Sequence, residues 1–346
     1  MVKILAPAKL ILSGEYSVVR NKPALAVALN YFTHCEIIDN KNITAGVELI
    51  IPQFNLNKFY SWQELLKLEI SLQHKYQNFT DALISISEVL ESPIELCWFA
   101  IIYFLKNSQE HINYQSSITI NLSSEIPIGS GMGSSASIII ATMQGLNKFY
   151  NLNLCDNTVY QLALQAENLQ HGYSSGVDIK TIMHGGINYF QADHQANHIE
   201  NFDITIENMD FYLINTGKPE SSTGECSEKV KEKFNANHII WNEFSQCTEL
   251  LKTNLEKESK FNIIHYIKTN HRLLNQLGIV PEHVNNFIRK IENGAISGAA
   301  KICGAGSISG DSAGMVIAIG EFSSIKKLCE QYNFSLENLA GRIFYG

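Results

Sequence analysis

The residues of this chain best suited to chemistry form a stretch at 127–136 with glycine at every second position, Pro-Ile-Gly-Ser-Gly-Met-Gly-Ser-Ser-Ala. Glycine permits positive φ and lets a ligand approach the backbone, because it has no Cβ. Polar and apolar residues alternate over 117–122, which predicts a strand, and the apolar run at 136–143 predicts a helix. A glycine-rich turn before a helix N-terminus presents N–H groups to an anion. The pattern therefore predicts a phosphate site, with a structural tight turn as the alternative.

A lysine for this site must come from elsewhere in the chain, because the loop lacks the Gly-Lys-Ser/Thr ending of a Walker A loop. Its third glycine also comes one position too early for the Gly-x-Gly-x-x-Gly pattern of dinucleotide-binding folds. Lys9 is one candidate, since it follows three small residues in a turn predicted between short strands at 3–5 and 10–12. A solvated surface lysine is the alternative.

Phosphoryl transfer needs a metal ligand, a cation at the reacting oxygen and often a carboxylate that accepts the hydroxyl proton. Two carboxylates fit these roles: Glu167 lies in a helix predicted at 159–170, and Asp178 ends the sequence Ser-Gly-Val-Asp. A solvated helix carboxylate is the alternative for Glu167, and a helix cap is the alternative for Asp178. A second glycine-rich loop at 304–310 suits close packing against a nucleotide, and a hairpin turn is its alternative.

Strands and helices are both needed to position these residues. Beside an apolar stretch at 24–30, we expect strands at 33–38, 187–190, 211–215 and 315–319. We expect helices over much of 55–110, across 225–293 with a break at 277–281, and at 324–332. Strands and helices that do not alternate regularly predict an α+β protein. A chain of 346 residues exceeds the usual single domain, and the polar segment 193–201 is the candidate boundary between two domains.

Composition excludes several classes of partner. A net charge of −8 argues against nucleic acid or an anionic membrane as the main partner. Seven scattered cysteines without a Cys-x-x-Cys pair favour a reducing compartment over disulfides or a zinc site. The apolar run at 96–105 is about half of what a membrane span needs, and the N-terminus does not resemble a signal peptide. We therefore expect a soluble, cytoplasmic protein in which 96–105 forms a core helix.

Three motifs in a fixed order give the chain its resemblance to a known family. The segment 6–18 has the sequence Ala-Pro-Ala-Lys-Leu-Ile-Leu-Ser-Gly-Glu-Tyr-Ser-Val, the glycine loop at 127–136 follows, and 301–306 has the sequence Lys-Ile-Cys-Gly-Ala-Gly. In this order and spacing they resemble the motifs of the GHMP small-molecule kinases across nearly the whole chain.

The resemblance implies a two-domain GHMP kinase fold and ATP with Mg²⁺ as cofactors. Its N-terminal domain, 1–195, would be ribosomal protein S5 domain 2-like and would bind ATP. Its C-terminal domain, 196–346, would be ferredoxin-like. The partner would be a small-molecule substrate, and a homodimer stays open.

By the same resemblance, each candidate residue receives a role. Asp178 would be the catalytic base, and Lys9 would pair with it and stabilise the developing oxyanion. Ser135 and Glu167 would hold Mg²⁺. The substrate would lie near Glu15, Tyr16, Gly304 and Ala305. The triphosphate would be wrapped by Pro127, Gly129, Ser130, Gly131, Met132, Gly133, Ser134 and Ser135.

The sequence specifies the phosphoryl acceptor less well than the phosphoryl donor, ATP. The segment 167–178 and the glycine pair at 185–186 resemble a branch of the family that phosphorylates a small hydroxy acid. Tyr16 and the pair Gly310-Asp311 resemble a branch whose acceptor already carries a phosphate. Sugar and amino-alcohol kinases fit the central segment less well. A catalytically silent metabolite sensor is a further alternative, against which Lys9, Ser135, Glu167 and Asp178 together argue.

Overall fold

The computed structural model describes residues 1–41, 44–108, 116–191, 198–202, 209–293 and 297–345. Helices and strands are mixed without regular alternation, which confirms the predicted α+β class. The strands are β1 (Val2–Ser13), β2 (Ala24–Asp39), β3 (Gly46–Ile51), β4 (Leu56–Ser61), β5 (Ser117–Ser124), β6 (Ile187–Gln191), β7 (His198–Phe202), β8 (Phe211–Asn215), β9 (Ala299–Cys303), β10 (Met315–Ile319) and β11 (Ser335–Asn338). The helices are α1 (Trp62–Thr80), α2 (Pro93–Asn107), α3 (Ser134–Phe149), α4 (Asp156–His171), α5 (Val177–His184), α6 (Thr223–Lys233), α7 (Ile240–Glu256), α8 (Lys260–Leu277), α9 (Glu282–Asn293) and α10 (Phe322–Tyr332).

The chain folds into two compact units, each built from three segments. The first unit consists of Met1–Ala8, Tyr31–Ile126 and Ser134–Met183, and the second of Lys9–Asn30, Pro127–Gly133 and His184–Gly346. The expected domain boundary between 195 and 196 lies outside the described residues, so the division into 1–195 and 196–346 stays a prediction.

The first unit combines a sheet with the helices α1 to α5. Strand β3 pairs with β4 in antiparallel and with β5 in parallel orientation, and β5 also pairs with the second half of β2. Helix α1 begins with a capping box, in which the Ser61 hydroxyl accepts from the Glu64 N–H and the Glu64 carboxylate accepts from the Ser61 N–H. The helix predicted at 96–105 is confirmed as the buried part of α2. Among the described residues, every helix is too short or too polar to cross a bilayer.

The second unit is built on an antiparallel sheet of four strands in the order β11-β8-β10-β9. Met315, at the start of β10, pairs with Asn215 at the end of β8 and with Cys303 at the end of β9. The loops that follow Asn215 and Cys303, and the loop that leads into Met315, therefore emerge at one edge of the sheet. Helices α8 and α9 pack on β9, and the core contains Trp241, Phe244 and Phe287 with other apolar side chains.

Some predicted elements differ from those observed. Val2–Ser13 is one continuous strand, so the prediction of two short strands with Lys9 in a turn was wrong. Proline can occupy a strand position whose N–H is not needed for pairing, so Pro7 does not interrupt β1. Strands β3, β4, β7 and β11 were missed. Strand β4 lies within a stretch predicted as helical, β7 begins inside the polar segment 193–201 that was expected to separate two domains, and β11 is a short edge strand.

Candidate active site

The glycine loop of the second unit is held by its carbonyl groups. The Ser130 carbonyl accepts from the Met315 N–H at 3.1 Å, and the Met132 carbonyl accepts from the Lys9 N–H at 3.0 Å. The Gly131 carbonyl between them accepts from the Lys9 ammonium at 3.0 Å. In a trans peptide the C=O and the following N–H point in opposite directions. The N–H groups that follow these three carbonyls therefore point away from Lys9 and Met315.

Gly129, Gly131 and Gly133 give the loop its shape, with φ of +75°, +84° and +73°. A Cβ built on Gly131 would lie 2.7 Å from the Cys303 carbonyl oxygen, and one built on Gly133 would lie 2.8 Å from two carbons of the Lys9 stem. A Cβ on Gly129 would meet only Lys218 carbons, at ordinary distances of 3.7 and 3.8 Å. The loop can therefore keep its position only with glycine at its centre.

A pair of alanine variants tests this account of the loop. Gly129→Ala adds backbone strain of about 1–2 kcal/mol. We expect Gly131→Ala to cost about 1–3 kcal/mol more, because its methyl group would overlap the backbone at Cys303 and Gly304. Denaturant unfolding measures both costs, and equal destabilisation by the two substitutions would contradict the close approach of the two loops.

Lys9 is almost completely buried, with 3% of its surface exposed, which excludes the alternative of a solvated surface lysine. It lies in strand β1, and its stem packs against Gly133 while its ammonium donates to Gly131. Lys9 thus shapes the glycine loop and brings a positive charge to it.

The third motif packs against the other two motifs of the second unit. Gly304 has φ +92°, and a Cβ built there would lie 2.9 Å from the Gly131 Cα. The Tyr16 hydroxyl donates to the Ala305 carbonyl at 2.6 Å, and burial raises the pKa of Tyr16 well above its ordinary value. Tyr16 is only 7% exposed, so its hydroxyl serves the loop 304–306. The predicted contacts of Tyr16, Gly304 and Ala305 with a substrate stay predictions.

Glu15 forms a buried ion pair with Lys301, a residue for which the motif suggested no role. The Lys301 ammonium also donates to the Ile11 carbonyl at 3.2 Å, and its side chain is fully buried. Burial alone lowers the pKa of Lys301, but Cys303 and the Glu15 carboxylate beside it raise the pKa by more, so the net shift is upward. The ion pair joins the first motif to β9, from which the third motif emerges.

The two residues proposed as metal ligands lie in different helices of the first unit, Ser135 at the start of α3 and Glu167 within α4. Ser134 and Ser135 are the first two residues of α3 and are half-buried. Glu167 lies in α4 with 1% of its surface exposed, and its Oε2 accepts from the Ser174 hydroxyl at 3.0 Å. A buried carboxylate with a hydroxyl donor excludes the alternative of a solvated helix carboxylate.

Asp178 is the second residue of α5 and is half-buried, so it is not the residue that caps this helix. The turn before it is fixed by Ser174, whose N–H donates to Asn168 Oδ1 at 2.7 Å and whose hydroxyl accepts from the Gly176 N–H at 3.1 Å. Gly176 has φ +78° and packs directly against the Tyr160 hydroxyl. Ser174 therefore couples the placement of Glu167 to the start of the helix that carries Asp178.

Three residues of the two units were missed or underrated. Lys301 could have been found from its surroundings, because a lone lysine in the apolar stretch 299–303 requires a buried partner. Ser174 carries no signal in the sequence beyond its place in a turn-rich segment. The sequence presents Lys218 as a solvated loop lysine or as an extra cation for an anionic substrate; the structure has it exposed, with its stem against Gly129.

Comparison with known proteins relates the chain to one kinase family. Residues 96–186 match the model of the GHMP kinases N-terminal domain. A mevalonate kinase of Methanocaldococcus jannaschii is 28% identical over 329 residues, with 94% of each chain covered. One of Thermococcus sibiricus is 27% identical over 312 residues, with 87% of this chain and 85% of the relative covered. A crystal structure of a mevalonate kinase has the same fold, with a TM-score of 0.76, 24% identity and 100% of both chains covered.

Proposed function

The chain belongs to the GHMP kinase family, and from this premise we propose that it transfers the γ-phosphoryl group of ATP to the 5-hydroxyl of mevalonate. The observation that supports phosphoryl transfer is the geometry of the glycine loop. The carbonyl groups of Ser130, Gly131 and Met132 accept hydrogen bonds from Met315 and Lys9, and the N–H group that follows each carbonyl points the opposite way. The choice of mevalonate is supported by relatives named mevalonate kinase that match most of the chain. Phosphorylation of mevalonate would be a step of isoprenoid synthesis.

We propose that the triphosphate of ATP binds along 127–135. Backbone N–H groups that converge on one point bind phosphate oxygens without a charged side chain. Lys9 brings a positive charge to the loop through its contact with the Gly131 carbonyl.

The oxygen donors of Ser135 and Glu167 fit Mg²⁺. Magnesium is commonly bound through one or two carboxylates together with substrate phosphates and water. Among the described residues, no group of three or more His, Cys, Asp or Glu side chains could hold a metal by itself, which agrees with an ion that arrives with the nucleotide. When bound, it would neutralise charge on the phosphates.

Asp178 is proposed as the base and Lys9 as the cation at the reacting oxygen. The Asp178 carboxylate accepts the proton of the acceptor hydroxyl as its oxygen forms the new bond to the γ-phosphorus. The bond from that phosphorus to the bridging oxygen breaks, and ADP leaves with the electron pair. Lys9 stabilises negative charge that develops on the acceptor oxygen.

Glu167→Gln tests the proposed metal ligand. The substitution keeps the size of the side chain and can still accept from Ser174, but it removes the negative charge. We expect the Mg²⁺ concentration for half-maximal activity to rise about tenfold, the loss of one charge-assisted interaction. A magnesium titration at saturating ATP measures it, and an unchanged half-maximal concentration would remove Glu167 from the metal site.

A second candidate is a phosphomevalonate kinase, which would use ATP to phosphorylate 5-phosphomevalonate. Tyr16 and the pair Gly310-Asp311 favour it, as residues shared with that branch. Against this signal, the Tyr16 hydroxyl donates to the Ala305 carbonyl inside the protein. A silent metabolite sensor is the third candidate and predicts no turnover with any acceptor.

An ADP-release assay on the purified protein separates these candidates. It compares mevalonate, 5-phosphomevalonate, galactose and homoserine at equal concentrations. Mevalonate is expected to give the highest kcat/KM, and a preference for any other acceptor would refute the proposal. We also propose a cytoplasmic location, where thiols stay reduced, and light scattering decides whether the enzyme is a homodimer.

A further inference from the structure

Resting on the proposed function, we infer that Lys218 is a nucleotide-binding residue whose ammonium contacts the β- and γ-phosphates of ATP. Lys218 follows β8 in the second unit, in the segment Thr216-Gly217-Lys218. Its Cγ and Cε lie 3.7 and 3.8 Å from the position that a Cβ would take on Gly129. Its side chain therefore lies along the start of the glycine loop.

The segment that carries Lys218 is fixed to the sheet edge by several hydrogen bonds. The Gly217 N–H donates to Asn215 Oδ1 at 2.9 Å, and the Gly217 carbonyl accepts from the Gly314 N–H at 3.1 Å. The Thr216 N–H and hydroxyl donate to the Gly314 carbonyl at 3.0 and 2.8 Å. These hydrogen bonds fix the backbone next to Lys218, so the position of its Cα is well defined.

The same contacts join this segment to the glycine loop. Gly314 has φ +77°, and a Cβ built there would lie 2.6 Å from the Ser130 carbonyl oxygen. The next residue, Met315, donates its N–H to that oxygen. Gly314 thus contacts the Lys218 segment on one side and Ser130 on the other, so the position of Lys218 relative to Gly129 follows from backbone contacts within one unit.

Lys218 adds a positive charge beside the start of the glycine loop. The Lys9 ammonium donates to the Gly131 carbonyl and is proposed to act at the acceptor oxygen, so a second cation would be needed for the phosphates. Lys218 approaches the loop at Gly129, and both Lys218 and Gly129 are exposed. The nearby carboxylate Glu220 lies instead against Gly310 in the third motif. A point charge on a flexible stem beside a phosphate loop is the role that lysine has in Walker A loops.

Nucleotide binding to four proteins tests this inference: wild type, Lys218→Met, Lys218→Arg and Lys327→Met. Lys327 is an exposed lysine of α10 and serves as the matched control. Calorimetry with ATP, ADP and AMP in Mg²⁺ and without an acceptor measures each affinity. We expect Lys218→Met to weaken ATP about tenfold, ADP less and AMP not at all. Lys218→Arg should keep most of the affinity, and Lys327→Met should match wild type.

Two results would overturn the inference. One is an unchanged ATP affinity in Lys218→Met. The other is equal weakening of ATP, ADP and AMP, which would indicate general damage to the loop. Because binding is measured without an acceptor, a wild type that binds ATP but does not phosphorylate mevalonate refutes the proposed function and leaves this test intact.

Discussion

Asp178→Ala is expected to lower kcat about a thousandfold while the affinity for ATP stays within about twofold of wild type. General-base catalysis contributes roughly 10² to 10⁴ in rate, and the substitution removes only the group proposed to accept the hydroxyl proton. Single-turnover kinetics with mevalonate and calorimetry with ATP measure the two quantities separately.

Asp156→Ala is the matched control for this prediction. Asp156 is also an acidic residue in the first turn of a helix, at the start of α4, but it is exposed. Its removal should cost only the modest interaction of an acidic side chain with the helix N-terminus, about 0.3–1 kcal/mol, and leave kcat unchanged. A near-wild-type kcat for Asp178→Ala would refute the assignment of the base and favour the silent sensor.

Lys301→Met is expected to destabilise the protein by about 3–5 kcal/mol, because it leaves the Glu15 carboxylate buried without its cation. Side-chain exposure of Lys301 and Glu15 is 0% and 2%, so water cannot replace the lost partner. The double variant Glu15→Gln/Lys301→Met removes both charges and should recover most of the loss. Denaturant unfolding monitored by tryptophan fluorescence measures both.

Lys260→Met is the control for the buried pair. Lys260 and Asp210 form an ion pair of the same unit at 2.6 Å, but their side chains are 51% and 56% exposed. Exposed pairs contribute at most about 1 kcal/mol, so this substitution should be nearly neutral. A similar small cost for Lys301→Met would mean that the Glu15–Lys301 contact does not stabilise the second unit.

The sequence predicted the fold class, the family and several elements because these depend on local patterns. Strands β8 and β10 were expected at 211–215 and 315–319, where they are found, since apolar runs bounded by turn residues carry a strong signal. The GHMP kinase resemblance is confirmed by the family match at 96–186 and by curated relatives.

Contacts between distant segments could not be predicted in the same way. Lys301 meets Glu15 across 286 positions, and Lys9 meets the Gly131 carbonyl across 122. Neither partner can be chosen from spacing alone, because the packing of segments far apart in the chain decides which side chains meet. The turn predicted around Lys9 was wrong for a related reason, since Pro7 was weighed without the strand contacts that accommodate it.

The choice of phosphoryl acceptor depends on a few side chains and not on the fold. The residues that separate the two branches are few, and one of them, Tyr16, is engaged with the protein backbone at Ala305.

Phosphorus NMR of the reaction product tests the central claim most directly. The wild-type protein is incubated with ATP, Mg²⁺ and mevalonate, and in parallel with 5-phosphomevalonate. The account predicts a phosphomonoester resonance that grows with ADP in the mevalonate sample only. A diphosphate product from 5-phosphomevalonate with no product from mevalonate would contradict it, as would the absence of a phosphorylated product from either.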